Sequence, residues 1–133
     1  MSELVLDASA AIRLTLGHPE VTAGVFESLE AADCVLAPRL FFAEVGNSLW
    51  KYVRAGGLSE AEALDRLREA KSMVSSTVDD AELIEEALST AVRFGHPVYD
   101  ALYAVLARRR SCAVLTMDQR LESLLADMKV DSV

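Results

Sequence analysis

Apolar residues along this chain alternate between short runs and longer segments with helical spacing. The runs ELVL at 3–6, DCVLA at 33–37 and CAVLT at 112–116 are too short for helices and suit buried strands. Around them, apolar positions recur three or four residues apart, which is typical of amphipathic helices. Helices are therefore predicted at 7–16, from Glu20 onward, and at 38–57, 59–74, 80–95, 97–110 and 118–128. The last residues, KVDSV, are predicted to add an edge strand.

Several helix ends carry recognisable signals. Pro38 is expected to open a helix that the pair Gly56 and Gly57 stops. Ser59 and Glu62 have the spacing of a capping box. Further boundaries are expected at the break His18–Pro19, at the cap Asp79 and at Gly95.

The order of these elements predicts the fold class. Strands that alternate with helices imply a short, mostly parallel central sheet with helices on both faces, the α/β class. No linker, repeat or low-complexity segment interrupts the order, so residues 1–133 are predicted to form a single domain. In such a sheet the carboxyl ends of the strands share one rim, and ligands bind along it.

Composition narrows the class of protein. Apolar residues make up 52% of the 133 residues, which argues against disorder, and no apolar run is long enough to cross a bilayer. The start MSELVLD lacks the basic segment of a secretory signal. Cys34 and Cys112 lie far apart without a companion histidine cluster, so buried thiols are expected rather than a zinc site. A cytoplasmic protein is predicted.

Four acidic residues stand out by position. Asp7 and Asp118 follow strands directly, Asp100 lies in the first turn of an otherwise apolar helix, and Glu44 lies early in the helix after the second strand. All four are therefore predicted to reach the same rim. Each also has a local explanation, because acidic residues are favoured near helix N-termini and Asp7 could cap the helix that follows it.

A shared position for four carboxylates would have a chemical consequence. Like charges held together raise each other's pKa or bind cations. Carboxylate oxygens without histidine or cysteine select hard cations such as Mg²⁺ or Mn²⁺. Such ions suit phosphodiester hydrolysis, in which they activate water and stabilise the leaving oxygen. The net charge of −8 repels nucleic acid unless the acids are gathered around bound cations.

Four motifs in order give the chain a family resemblance. LVLDASAAI, FFAEVGNSLWK, VYDALYAVLA and VLTMDQRL together resemble a PIN domain, and within that group the VapC-type toxins of toxin–antitoxin pairs. The resemblance implies cleavage of single-stranded or loop RNA, a homodimer, and inhibition by a small antitoxin. It also implies a catalytic metal site formed by Asp7, Glu44, Asp100 and Asp118, with Ser9 and Thr116 as supporting hydroxyls.

Three other functions stay open at this point. The acids could hold a structural cation in a non-catalytic binding module, or serve a PIN nuclease of RNA processing outside toxin–antitoxin systems. A phosphatase with an aspartyl nucleophile also places an aspartate after its first strand. That chemistry normally needs a second aspartate two residues later, where this chain has Ser9.

Basic residues give candidates for substrate contacts. Arg108, Arg109 and Arg110 begin eight residues after Asp100, about 12 Å along a helix, so they are expected at the opposite end and stabilised there by the helix dipole. Residues within two helical turns of a candidate acid are better placed for RNA. These are Arg13, Lys51 and Arg120.

Overall fold

The computed structural model describes residues 2–18, 21 and 23–133 of the protein. Within them, four strands form one sheet: β1 (Glu3–Leu6), β2 (Cys34–Pro38), β3 (Ser76–Val78) and β4 (Ala113–Leu115). The helices are α1 (Ala8–Leu16), α2 (Ala23–Ala31), α3 (Leu40–Arg54), α4 (Glu60–Met73), α5 (Asp80–Phe94), α6 (Val98–Arg110) and α7 (Gln119–Met128). Every strand pair in the sheet is parallel.

The sheet has the strand order β3-β2-β1-β4, with β1 at its centre. Leu4 pairs with Val35 of β2 on one side and with Ala113 of β4 on the other. The chain adds β2 and β3 on one side of β1 and then crosses to add β4 on the other. A topological switch point therefore lies between β1 and β4. Ligands of open α/β sheets bind at such points, outside the carboxyl ends of the strands.

Helices cover both faces of the sheet, as the alternation of elements predicted. Side chains of successive strand residues point to opposite faces, and Val5 packs in one core cluster while Leu4 and Leu6 pack in the other. The first cluster takes in buried residues of α5, α6 and α7, and the second takes in those of α1, α3 and α4. Because both faces of β1, β2 and β4 are buried, these three strands are mostly apolar along their length.

Most helix ends follow the local signals in the sequence. The backbone N–H of Glu62 donates to the Ser59 hydroxyl at 3.1 Å, and the Glu62 carboxylate accepts from the Ser59 N–H at 3.0 Å. Asp79 caps α5 through the N–H of Ala81. Gly95 ends that helix in the left-handed conformation, with φ of 71°. These three predictions are confirmed. They could be made from the sequence because the interactions that fix these helix ends join residues close together in the chain.

The predicted start of the helix at Pro38 is wrong. Pro38 is the last residue of β2, where it pairs with Val78 of β3, and α3 begins at Leu40. The backbone N–H of Arg39 donates to the Val78 carbonyl and extends this pairing. The short strand β3 was not predicted, and its pairing draws the residues around Pro38 into the sheet.

Two further predictions need qualification. The final segment forms one parallel bridge, between Val114 and Ser132, rather than a full edge strand. The helix expected from Glu20 is present as α2, but it begins at Ala23, and Glu20 lies outside the described residues. Pro19 lies outside them as well, while α1 ends one residue before Gly17, whose φ is 66°.

The two cysteines were expected to be buried, and they are half-buried. Both Cys34 and Cys112 are free thiols that pack against the cluster on the α6 face of the sheet. In the part of the chain that the structure describes, no helix is both long and apolar enough to cross a bilayer.

Candidate functional site

Two of the predicted acids lie at the switch point of the sheet. Asp7 is the first residue after β1, and its backbone N–H donates to the carbonyl of Leu115, the last residue of β4, at 3.1 Å. Asp118 follows three residues after Leu115 and is the N-cap residue of α7. The carboxyl ends of two neighbouring parallel strands therefore deliver Asp7 and Asp118 to the same edge.

The carboxylate of Asp7 is buried and bound by hydroxyl groups. Thr116 donates its hydroxyl to Asp7 Oδ2 at 2.6 Å, and the Ser9 hydroxyl donates to the same oxygen. Asp7 holds the N-cap position of α1 without a well-formed capping hydrogen bond, although the backbone N–H of Ser9 still lowers the pKa of its carboxyl. Burial raises the pKa of Asp7, the Ser9 and Thr116 hydroxyls oppose that rise, and the Asp118 charge adds to it.

Ser9 and Thr116 also fix the loop between β4 and α7. The Ser9 hydroxyl accepts the N–H of Met117 at 3.1 Å, and the Thr116 hydroxyl accepts the N–H of Asp118 at 3.1 Å. Each hydroxyl thus donates a hydrogen bond to the Asp7 carboxylate and accepts one from a backbone N–H of the loop. The two residues that the sequence suggested as supporting hydroxyls hold Asp7 and Asp118 in a fixed relation.

Glu44 reaches the site from α3 and is held by a tyrosine of α6. The hydroxyl of Tyr103 donates to Glu44 Oε1 at 2.6 Å. Burial and the nearby acids raise the pKa of Tyr103, so this hydroxyl stays protonated and remains a donor. Burial also raises the pKa of Glu44 to about 7, with the Tyr103 hydrogen bond opposing the rise and the charges of the other three acids adding to it.

The raised pKa of Glu44 predicts a pH dependence of stability in the metal-free protein. The folded state binds the Glu44 proton more tightly than the unfolded state, whose carboxyl has the ordinary pKa of about 4.5. The stabilising contribution of this carboxyl is therefore complete below pH 4.5 and is lost as the pH rises through 7. Glu44→Gln removes this dependence while its amide oxygen still accepts from Tyr103.

The measurement is urea unfolding of both proteins in the presence of a chelator, at intervals from pH 4.5 to pH 8. Asp7 and Asp100 titrate in both proteins, so the difference between the two curves reports the Glu44 carboxyl together with its coupling to these acids. The wild-type protein should lose stability relative to Glu44→Gln across this range. Parallel curves would contradict the raised pKa.

Asp100 lies in the first turn of α6 and faces Arg120 of α7. Its carboxylate is mostly buried, and Arg120 Nε lies 3.2 Å from Asp100 Oδ2. Burial raises the pKa of Asp100, the Arg120 charge opposes that rise, and the charges of Asp118 and Asp7 add to it. The small residues one and two turns later, Ala104 and Ala107, are fully buried, as the narrow face of this helix suggested.

Asp118 has a clear local role as well. Its carboxylate caps α7 by accepting the N–H of Arg120 at 2.9 Å, so the ordinary explanation for an aspartate at a helix start applies to it. The cap uses Oδ1 only. A capping role and a part in the acidic site are therefore compatible.

The charges of the four predicted acids affect the pKa values within the group. The charges of Asp7, Asp100 and Asp118 each raise the pKa of Glu44, and Asp118 raises the pKa of both Asp7 and Asp100. Within residues 2–18, 21 and 23–133, however, no three His, Cys, Asp or Glu side chains are close enough together to hold a metal ion as they stand. The acids form a loose group at one edge of the sheet rather than a closed ligand cage.

An open cavity of about 700 Å³ adjoins this edge. Its lining includes Ser9, Thr116 and Asp118, together with Arg13. Arg13 donates from Nη1 to the Met117 carbonyl at 2.9 Å, which fixes the guanidinium at the cavity wall. The cavity is large enough for a few polar groups of an extended ligand, and its wall includes both acidic and basic side chains.

The other basic residues considered in the sequence analysis lie at separate places in the structure. The arginines at the end of α6 form ion pairs away from the acids: Arg108 and Arg109 with Glu86 at 2.6 Å each, and Arg110 with Glu3. Their predicted structural role agrees with this arrangement. Lys51 lies exposed on α3, seven residues after Glu44.

Sequence reasoning missed Tyr103. This tyrosine is almost fully buried, and its hydroxyl finds its partner in Glu44, 59 residues away. The available signal was a tyrosine three residues after Asp100 in an apolar helix, because a buried tyrosine hydroxyl needs a hydrogen-bond partner. The sequence alone did not indicate which acid that partner was.

Comparison with known proteins agrees with this architecture. The family model described as the PIN domain matches residues 4–125. The chain belongs to the PIN domain family. The resemblance to VapC-type members is also confirmed, because the chain is 34% identical over 122 residues to the protein named Ribonuclease VapC3 from Pyrobaculum aerophilum. That similarity covers 90% of this chain and 92% of the relative.

Solved PIN-type structures share the fold. PAE2754 from Pyrobaculum aerophilum superposes with a TM-score of 0.73 at 28% identity, covering 92% of this chain and 84% of that one. A structure described as a toxin–antitoxin complex from Klebsiella pneumoniae superposes with a TM-score of 0.62 at 17% identity, covering 88% of each chain. At that identity the second likeness supports the fold alone.

Proposed function

We propose that this PIN domain protein is a metal-dependent endoribonuclease that cleaves single-stranded or loop RNA, acting as the toxin of a toxin–antitoxin pair. The observation that carries the proposal is the group of four mutually repelling carboxylates at the switch point of the sheet, three of which have a raised pKa. The 34% identity to a protein named a ribonuclease gives the reaction class independently.

The chemistry of the donors fits a hard cation. They supply only oxygen, which Mg²⁺ and Mn²⁺ prefer. Asp100 Oδ2 is buried without a hydrogen-bond partner among the described residues, so it has lone pairs available for an ion. We propose that Asp7, Glu44, Asp100 and Asp118 hold the metal, with the side chains closing in from the looser arrangement of the metal-free protein.

The residues around the metal site would then have separate roles in the reaction. A bound divalent cation lowers the pKa of a coordinated water and stabilises charge on a phosphate oxygen. Ser9 and Thr116 orient Asp7 and favour its ionised form through their hydroxyl groups. Tyr103 holds Oε1 of Glu44 by a hydrogen bond. Arg13 at the cavity wall is a proposed contact for phosphate groups of the RNA, and so are Lys51 and Arg120.

A cleavage assay tests this function directly. Purified protein treated with a chelator should leave a structured RNA containing single-stranded loops intact, and added Mg²⁺ or Mn²⁺ should restore internal cuts in the loops. Metal binding without any cleavage would favour a non-catalytic binding module instead. Cleavage that survives the chelator would contradict the metal-dependent mechanism.

We further propose that the protein forms a homodimer through α5. Ile84, Leu88 and Val92 form an exposed apolar stripe at four-residue spacing, and Val92 is 77% exposed. The mean hydropathy of +0.23 indicates that part of the apolar surface is covered by another chain. Two copies of one straight stripe can pair about a two-fold axis, with Leu88 near the centre.

Leu88→Glu should therefore shift the protein to a monomer, because two buried glutamates would face each other without partners. Sedimentation velocity at micromolar concentration measures this change. Leu64→Glu is the matched control, since Leu64 is also an exposed leucine but lies on α4. An unchanged sedimentation coefficient for Leu88→Glu, or a monomeric wild-type protein, would refute this interface.

A further inference from the structure

Arg120 makes an unusual contact with the acidic site. Its guanidinium reaches from solvent onto a carboxylate that is largely removed from solvent: the Arg120 side chain is 63% exposed and that of Asp100 is 12% exposed. Nε of Arg120 lies 3.2 Å from Asp100 Oδ2. The Arg120 guanidinium thus contacts Asp100, one of the acids that are proposed to bind the metal.

The contact is coulombic rather than a directed hydrogen bond. Asp100 Oδ2 has no hydrogen-bond partner among the described residues, although the arginine nitrogen is near it. By contrast, Arg108 and Arg109 donate hydrogen bonds of 2.6 Å to the two oxygens of Glu86. Arg120 therefore neutralises Asp100 without the geometry that fixes a structural ion pair.

The backbone of Arg120 is held in place, while most of its side chain lies in solvent. Its backbone N–H is fixed by the Asp118 cap at 2.9 Å, so its Cα keeps its place at the edge of the acidic group. The long side chain is mostly in solvent and can change rotamer without disturbing the core. Solvent reaches the Arg120 side of this pair and screens the contact, and no directed hydrogen bond holds it, so a competing cation can displace the guanidinium.

We propose that Arg120 is an internal counter-ion that occupies Asp100 in the metal-free protein and is displaced when a divalent cation binds. This inference rests on the proposed metal site. Arg120 offsets the desolvation of the charged Asp100 carboxylate and its repulsion by the neighbouring acids. The displaced guanidinium then lies at the same edge as the bound ion. There it is positioned to contact a phosphate group of the RNA that the metal engages.

Nuclear magnetic resonance of the arginine Nε–H groups tests the displacement without any substrate. The Arg120 signal, assigned by its loss in Arg120→Lys, should shift and saturate as Mg²⁺ is added to the chelator-treated protein. The Arg109 signal should stay in place, because its partner Glu86 lies away from the acids. The backbone N–H signals of Asp7 and Asp118 report independently whether the metal binds.

Metal affinity gives a second readout. Mn²⁺ should bind Arg120→Gln at least about two- to fivefold more tightly than the wild-type protein, because exposed pairs already give that range and Asp100 is mostly buried. Arg109→Gln removes the same charge at the far end of α6 and should bind Mn²⁺ as the wild-type protein does.

The outcomes separate this inference from the proposed metal site. If the amides of Asp7 and Asp118 respond to Mg²⁺ while the Arg120 signal does not move, the counter-ion role is overturned and the metal site stands. Unchanged or weaker Mn²⁺ affinity of folded Arg120→Gln would have the same meaning. If no signal responds and no Mn²⁺ binds, both the metal site and the counter-ion role are overturned.

Discussion

Asp100→Asn is expected to lower RNA cleavage by at least about a hundredfold while the protein stays folded. Losing a hydrogen-bond partner of a metal ligand already costs about 10- to 100-fold in metal affinity or activity, and Asp100 is proposed to be a ligand itself. Asparagine has nearly the same shape as aspartate but carries no charge. The substitution therefore removes a ligand and leaves the packing of α6 intact.

The metal-free Asp100→Asn protein should be at least as stable as the wild type. Burial and the neighbouring acids raise the pKa of Asp100 in spite of Arg120, so the charged carboxylate is less favourable in the folded state than in the unfolded state. Urea unfolding with a chelator measures this effect, and an initial-rate cleavage assay measures the loss of activity.

Asp65→Asn is the matched control for both measurements. Asp65 is an exposed aspartate of α4 that pairs with Arg68 at 3.0 Å, so its loss should leave cleavage unchanged and alter stability by less than about 1 kcal/mol. Full cleavage by Asp100→Asn would remove this residue from the site. A clear loss of stability in the metal-free form would show that repulsion does not dominate there.

The second large effect is expected from a protein partner. We expect a small antitoxin, encoded beside this chain, with an apolar helix and a basic tail, to suppress cleavage almost completely. An arginine of the tail could pair bidentately with a carboxylate of the site and block metal or RNA. The contact of Arg120 with Asp100 shows that a guanidinium can approach this acid.

The surface between α3 and α4 suits the apolar helix of such a partner. An open groove of about 250 Å³ there is lined mainly by apolar residues, among them Leu49, Trp50, Val53, Leu64 and Leu67. Trp50 is exposed and is the one tryptophan of the sequence, so its fluorescence should shift to shorter wavelength when the helix docks.

The test is to co-express the adjacent small reading frame, purify the complex and compare its cleavage rate with that of the free protein. A partner without its basic tail is the control: it should still shift the Trp50 fluorescence but restore cleavage. Raising the salt concentration should weaken inhibition only where the ion pairs stay exposed. Full cleavage by a stable complex would rule out inhibition at the acidic site.

The sequence by itself determined the features that depend on neighbouring residues. The period of apolar positions identified the helices and three of the four strands, and the capping box of Ser59 and Glu62 is present as predicted. The same reasoning brought Asp7 and Asp118 to one edge of the sheet, because parallel strands with helical crossovers carry their carboxyl ends to the same side. These inferences succeed because local backbone preferences and burial patterns fix them.

Only the tertiary structure decided the features that join distant parts of the chain. Strand β3 has three residues and is held by its pairing with β2, so no local pattern predicted it or the inclusion of Pro38 in the sheet. The hydroxyl of Tyr103 could meet any acid until the packing of α3 and α6 placed Glu44 beside it. The pKa of about 7 for Glu44 depends on burial, and burial is a property of the assembled core. The approach of Arg120 to Asp100 likewise requires α6 and α7 to pack side by side, which the spacing of residues along the chain does not specify.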